Sequence, residues 1–186
     1  SQRVLTPTLE GLMLSRLDRL PRRARRLAQT AAVVGRRFPL AVLEHLEPAE
    51  SLADTIAILL RADVVQEARR YPETEYAFRH GLLRQAVLAT LPPPRRRALY
   101  RAVALAFDQH LAGSPGDHME LLAHYWLRSD DPGRALECLE RAAERAAALD
   151  AGGRAAALWE QAVKAAERIG DAQAAARLRA LADRPR

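Results

Sequence analysis

Three turn signals punctuate the last third of the chain at nearly even intervals: Asp130-Asp131-Pro132-Gly133, Asp150-Ala151-Gly152-Gly153 and Gly170-Asp171. Their period, about twenty residues, is one helix plus one turn, the scale of helical repeats. Between them, residues 134–149 and 154–169 read as helices, and a further helix runs to about residue 182. Helices at this spacing bury an apolar face only by stacking on their neighbours. No strand signal appears in this part of the chain.

The first half is organised differently. Leu9, Leu12, Met13, Leu17 and Leu20 recur at three- and four-residue steps, so residues 8–20 read as an amphipathic helix led by Thr6-Pro7. Pro21 stops it and opens a second helix, 22–34, with Leu27, Ala28, Ala31 and Val34 on one stripe and Gly35 just past its end. Phe38-Pro39 is expected to open a short third helix with Leu40, Leu43 and Leu46 inside, ended by Glu47-Pro48. Residues 49–62 form a fourth, with Leu52, Ile56, Leu59 and Leu60 on its apolar face.

The period then changes. Asp63-Val64-Val65-Gln66-Glu67 reads as a strand, Arg70-Tyr71-Pro72-Glu73 as a turn, and Glu75-Tyr76-Ala77-Phe78-Arg79 alternates as the return strand. A lone two-stranded hairpin is unstable. Val64, Tyr76 and Phe78 are therefore expected to dock it on the helices. Residues 80–91 are helical again, until Pro92-Pro93-Pro94. Compact helices followed by a two-stranded ribbon are the winged-helix order. The expected fold is mainly α: a winged-helix domain with a small β-hairpin over residues 1–94, then α-α repeats over 95–186. The second part starts with a helix at 95–111, followed by the linker Gly113-Ser114-Pro115-Gly116 and a helix capped by Asp117.

Composition narrows the function classes. The 186 residues are 49% hydrophobic, enough for a core. No apolar run approaches the roughly 18 residues of a membrane span, and the opening lacks a secretion signal. One cysteine, Cys138, allows no internal disulfide and fits a reducing cytoplasm. The net charge is +6, but only Lys164 among 29 basic residues is a lysine. The excess is spread over both halves, unlike the concentrated face of a nucleic-acid binder. No phosphate-cradling glycine loop or zinc-spaced Cys/His cluster occurs. The sequence starts without an initiator Met, and two repeat units fall short of the roughly three usually needed for stability. Both features read as part of a longer polypeptide.

Leu122, Ala123 and Trp126 fall on the large, small and aromatic positions of a first tetratricopeptide helix. Ala135, Leu139 and Ala142, and again Ala155, Trp159 and Ala162, fall on the small-large-small positions of the second. The repeats are thus tetratricopeptide-like. Upstream, Arg16-Leu17-Asp18-Arg19-Leu20-Pro21, Ala31-Ala32-Val33-Val34-Gly35-Arg36-Arg37-Phe38 and Phe78-Arg79-His80-Gly81-Leu82-Leu83-Arg84-Gln85-Ala86-Val87 occur in that order. Together they resemble bacterial STAND-type regulatory ATPases, which include LuxR-type transcription regulators and cyclase-associated proteins. The resemblance implies an upstream P-loop ATPase domain, a winged helix, then a helical array that receives a protein or small-molecule signal. The 186 residues contain no Walker motif, so ATP and ADP would belong to the parent protein.

By the same resemblance, His80 is the winged-helix histidine that contacts ADP phosphates, with Arg79 as helper; Arg79 and Gly81 replace the usual flanking Met and Asp. Trp126 and Trp159 read as repeat core, or as peptide-binding spots if a groove exposes them. Glu120 and His124 lie four apart on a helix but have no third ligand, so no metal is expected. No Ser lies in a His/Asp arrangement, so no catalysis is expected. The competing class is a DNA-contacting module. Its reading helix, 49–62, offers Glu50, Ser51 and Asp54 with Arg61 only at its end, while the wing carries Arg69, Arg70 and Tyr71. The runs Arg22-Arg23, Arg25-Arg26, Arg36-Arg37 and Arg95-Arg96-Arg97 read as solvated faces or as contacts to acidic surfaces.

Overall fold

A computed structural model describes residue 15 and residues 17–111, 118–149 and 152–183. Most of the helix expected at 8–20, the 113–116 linker, the Asp117 cap and Asp150-Ala151 lie outside the described residues. The protein is mainly α-helical with one small antiparallel sheet. The chain divides into two compact units, residues 1–99 and 100–186. Among the described residues no helix is long and apolar enough to cross a membrane.

The first unit is built round α1 (Arg22–Val34). Every side chain from Leu27 to Val34 is buried, more than the single stripe expected from the pattern. A helical stretch enclosed on all sides must satisfy its polar groups internally. Gln29 does so by donating its Nε2–H to Thr90 Oγ1 at 3.0 Å, and the Thr30 hydroxyl donates to Glu47 Oε1 at 2.9 Å. Gly35 ends the helix at φ 158°, ψ −171°, and a Cβ there would meet the Arg37 carbonyl oxygen at 3.0 Å. Only glycine takes that backbone without strain.

The chain then departs from the expected helix. Arg37–Pro39 is a strand, β1, and α2 (Leu40–Leu46) starts only after Pro39. α3 (Ala49–Arg61) is followed by β2 (Val65–Arg69) and β3 (Glu75–Phe78). The expected lone hairpin is therefore a three-stranded sheet in the order β1-β3-β2, with Phe38 opposite Tyr76 and Val65 opposite Phe78. Three residues are too few to display alternation, so β1 is specified by its partner strand rather than by its own pattern. Phe38 and Phe78 are buried side by side, edge to face at 5.8 Å, and Phe38 lies 6.2 Å from the Tyr76 ring. β2 begins two residues later than expected because Asp63, at φ 59°, still belongs to the turn that ends α3. Val64, the expected docking residue, is fully buried.

α4 (Gly81–Ala89) leads to α5 (Pro93–His110). The triple proline breaks one helix, but its second member already lies in the next, where a missing N–H costs nothing. The division between the units falls inside α5.

The second unit is wholly helical among its described residues: the end of α5, α6 (Met119–Arg128), α7 (Pro132–Ala148), α8 (Gly152–Ile169) and α9 (Ala172–Ala182). From α6 to α9 each helix packs on the next, round Ala143, Leu139, Trp159, Ala162, Ala166 and Leu178. Two turns share one construction. Asp130 (φ 66°) and Gly170 (φ 77°) adopt the left-handed conformation, and the next residue, Asp131 or Asp171, caps the following helix. Asp131 accepts from the Arg134 N–H and Asp171 from the Ala174 N–H. The two caps are forty positions apart, and each is followed four residues on by a buried alanine, Ala135 or Ala175. Ion pairs join alternate helices: Glu120 of α6 accepts from Arg154 of α8 at 2.7 Å, and Glu140 of α7 pairs with Arg177 of α9.

Candidate functional site

His80 is the residue between β3 and α4. Phe78 anchors the strand in the core, and Arg79 N–H donates to the Val64 carbonyl at 3.1 Å, which ends the sheet. His80 then holds extended backbone (φ −129°, ψ 134°), and its carbonyl accepts from Leu83 N–H and, more loosely, Arg84 N–H. It is thus the N-cap residue of α4 by position, yet its imidazole makes no capping bond. The side chain is exposed. No acidic residue stands in the first turn of α4, and a Cβ on Gly81 would meet nothing within 4 Å.

That geometry has a chemical consequence. A helix N-terminus carries unsatisfied N–H groups and about half a positive charge. With an open approach at Gly81 and an exposed imidazole beside it, the corner can donate hydrogen bonds to an anion. Arg79 is less available than His80: its Nε lies 3.1 Å from Asp63 Oδ1, and the pair is half-exposed.

Arg84, five residues after Arg79, has a role the sequence pattern alone does not announce. Its Nε–H donates to the Ala32 carbonyl at 2.8 Å. Ala32 lies in the last turn of α1, where carbonyls lack helical partners, so Arg84 caps α1 from α4. The Phe78–Arg84 motif thus ties the sheet, α4 and α1 together. The fixed spacing of Phe78, Arg79 and Arg84 is the only trace of this in the sequence.

Arg69 and Arg70 of the β2–β3 hairpin are both paired with carboxylates. Arg69 Nη2 donates to Glu75 Oε1 at 2.7 Å, and Arg70 makes a two-pronged contact with Glu67 at 2.8 and 2.9 Å. The Arg70 hydrogen bond holds the Glu67 carboxyl below its ordinary value. Tyr71 at the tip is 86% exposed. On α3 the exposed positions include Glu50 and Asp54. Between α2, α3 and β3 lies a recess of about 340 Å³ lined by Leu40, Ala53, Ile56, Leu60 and Tyr76. A surface of that kind repels phosphates and suits apolar contact.

Trp126 and Trp159 are both buried in the second unit. The Arg134 guanidinium sits 4.8 Å over the Trp126 ring, and Trp159 packs with Ala162 and Leu158 in the helical core. Trp126 also borders a small cleft of about 140 Å³ with Arg134, Glu137 and Cys138. Burial, helped by Asp108 and Glu137, pushes the Cys138 thiol up to about 11. Glu120 is engaged by Arg154, and His124 Nδ1 lies 2.9 Å from Arg128. Among the described residues no three His, Cys, Asp or Glu side chains gather as a metal site. No family model, curated protein or solved structure matches the chain.

Proposed function

We propose that this chain is a regulatory relay: a winged helix that reports the nucleotide state of an adjoining STAND-type ATPase domain to tetratricopeptide-like repeats. The observation that carries the reading is the element order α1-β1-α2-α3-β2-β3 with sheet order β1-β3-β2. That order is the winged-helix one, with its short strand after the first helix added to the wing hairpin. The open, positive corner at His80 suits a phosphate contact. The paired wing arginines and the acidic exposed positions of α3 favour protein over DNA as the neighbour of this unit.

For the second unit, support comes from the two equivalent Asp-capped turns and the ion pairs linking alternate helices. Units of this kind stack and present an extended face to a partner. Their spacing of forty residues exceeds the usual 34 of tetratricopeptide repeats. The repeats would receive a protein or small-molecule signal, while ATP or ADP would bind the parent protein's ATPase domain.

The experiment is His80→Ala in the full-length parent protein. Loss of co-purified ADP, or a raised basal output, is expected; unchanged nucleotide retention and output would refute the sensing role. A parent reading frame without a P-loop upstream would refute the relay itself. Retarded migration of duplex DNA by the chain at physiological salt would favour the DNA-contacting alternative.

A further inference from the structure

The arginine runs at 22–26 and 95–97 play no part in the relay, yet the fold brings members of both to one place. On α1, Arg23, Arg26, Leu27 and Thr30 follow the i, i+3, i+4, i+7 spacing of a single helix face. On α5, Arg95 and Leu99 are one turn apart. These two faces and the start of α3 surround a cavity of about 270 Å³. Arg23, Arg26 and Arg95 line it and reach solvent at its mouth, while Leu27, Leu52 and Leu99 supply its apolar wall. All of it lies within the first unit.

Among the described residues, none of these three guanidinium groups forms an ion pair, whereas Arg69, Arg70 and Arg79 of the same unit each sit on a carboxylate. Three like charges facing one concavity repel each other, and a bound anion removes that repulsion. Guanidinium forks match the oxygens of a phosphate, and such charge-assisted bonds are the strong ones. One carboxylate stands on the lining. It belongs to Glu47, held by the Thr30 hydroxyl at 2.9 Å. It disfavours a second anionic group and can accept from a hydroxyl or amine. The volume lies just below the usual range for small-molecule pockets, which suits a compact ligand.

We propose that this cavity binds a small phosphate monoester, its phosphate on Arg23, Arg26 and Arg95 and its organic part against Leu27, Leu52 and Leu99. The proposal stands whether or not the relay function does.

The test is calorimetric titration of the 186-residue chain with phenyl phosphate and with inorganic phosphate, at constant ionic strength. Phenyl phosphate should bind at one site and at least about tenfold more tightly than inorganic phosphate, since only the ester meets the leucine wall. Arg23→Gln with Arg26→Gln should weaken it at least about tenfold. Glu47→Gln, which keeps an acceptor for Thr30, should instead strengthen it by about threefold. These side chains are exposed or half-exposed, and circular dichroism verifies that each variant is folded. Opposite signs for the two variants are not expected of a general loss of structure. The absence of saturable binding, equal affinity for the two ligands, or binding indifferent to the arginine pair would each overturn the proposal.

Discussion

Residues 17–99 and residues 100–183 reach a packed core by different routes. In the first, the Leu27–Val34 stretch of α1 is enclosed on every side, and three aromatic rings gathered from positions 38, 76 and 78 pin the sheet. Its decisive contacts are distant in sequence. In the second, the core consists largely of alanines, among them Ala135, Ala143, Ala162, Ala165 and Ala166, all fully buried between successive helices. Its contacts join each helix to the next one or two. Small residues let helices approach closely, so many modest contacts replace a few large ones. A core of the first kind fails at single residues; a core of the second kind fails by increments.

The sharpest way to break this contrast is Phe78→Ala. Removing a ring buried against Phe38 should cost about 3–5 kcal/mol. Amide hydrogen exchange should then rise across residues 17–99 and stay protected in 118–149 and 152–183. An equal rise in both would mean that the two units unfold as one. Smaller in effect are the two aspartate caps. Asp131→Ala and Asp171→Ala should each cost about 1 kcal/mol in urea unfolding. The double variant need not show the sum, because Arg168, just before the second turn, donates to Asp130 in the first at 2.8 Å and couples the two ends. A loss at only one of them would deny that the turns are equivalent.

The mildest test leaves the fold intact. With its thiol pushed up to about 11, Cys138 is almost wholly protonated at pH 8. Native alkylation by iodoacetamide should be about two hundredfold slower than for a free thiol of pKa about 8.5. The unfolded chain loses this proton first, so the cysteine contributes a loss of stability that begins near pH 8.5 and levels off near 11. Fast native alkylation would show that the helix pair round Cys138 opens readily.

The twenty-residue turn period was legible in the second unit because each of its elements is specified locally. Asp130-Asp131-Pro132-Gly133 and Gly170-Asp171 announce turns, although the helix expected from residue 134 already starts at Pro132. In the first unit, α1, α3 and the hairpin strands β2 and β3 were legible for the same reason. β1 was not: Arg37-Phe38-Pro39 carries no period of its own, and Phe38-Pro39 looks like the lead of a helix. Arg84 was visible within a motif, but its capping of Ala32 spans 52 positions, which no local pattern encodes. His80 could be placed at a strand-to-helix corner from the sequence, while its open approach and idle imidazole are matters of geometry.

The amino-acid order alone determined the mainly helical content, the two-part organisation, the alternating hairpin and the position of the turns, since propensity, turn chemistry and period act within a few residues of the chain. Tertiary structure alone decided that the Leu27–Val34 stretch of α1 is buried all round, that a third strand joins the hairpin, and that Arg23, Arg26 and Arg95 share a cavity. Those outcomes depend on which surfaces meet after the chain has closed loops of tens of residues, and nothing local to either partner carries that information.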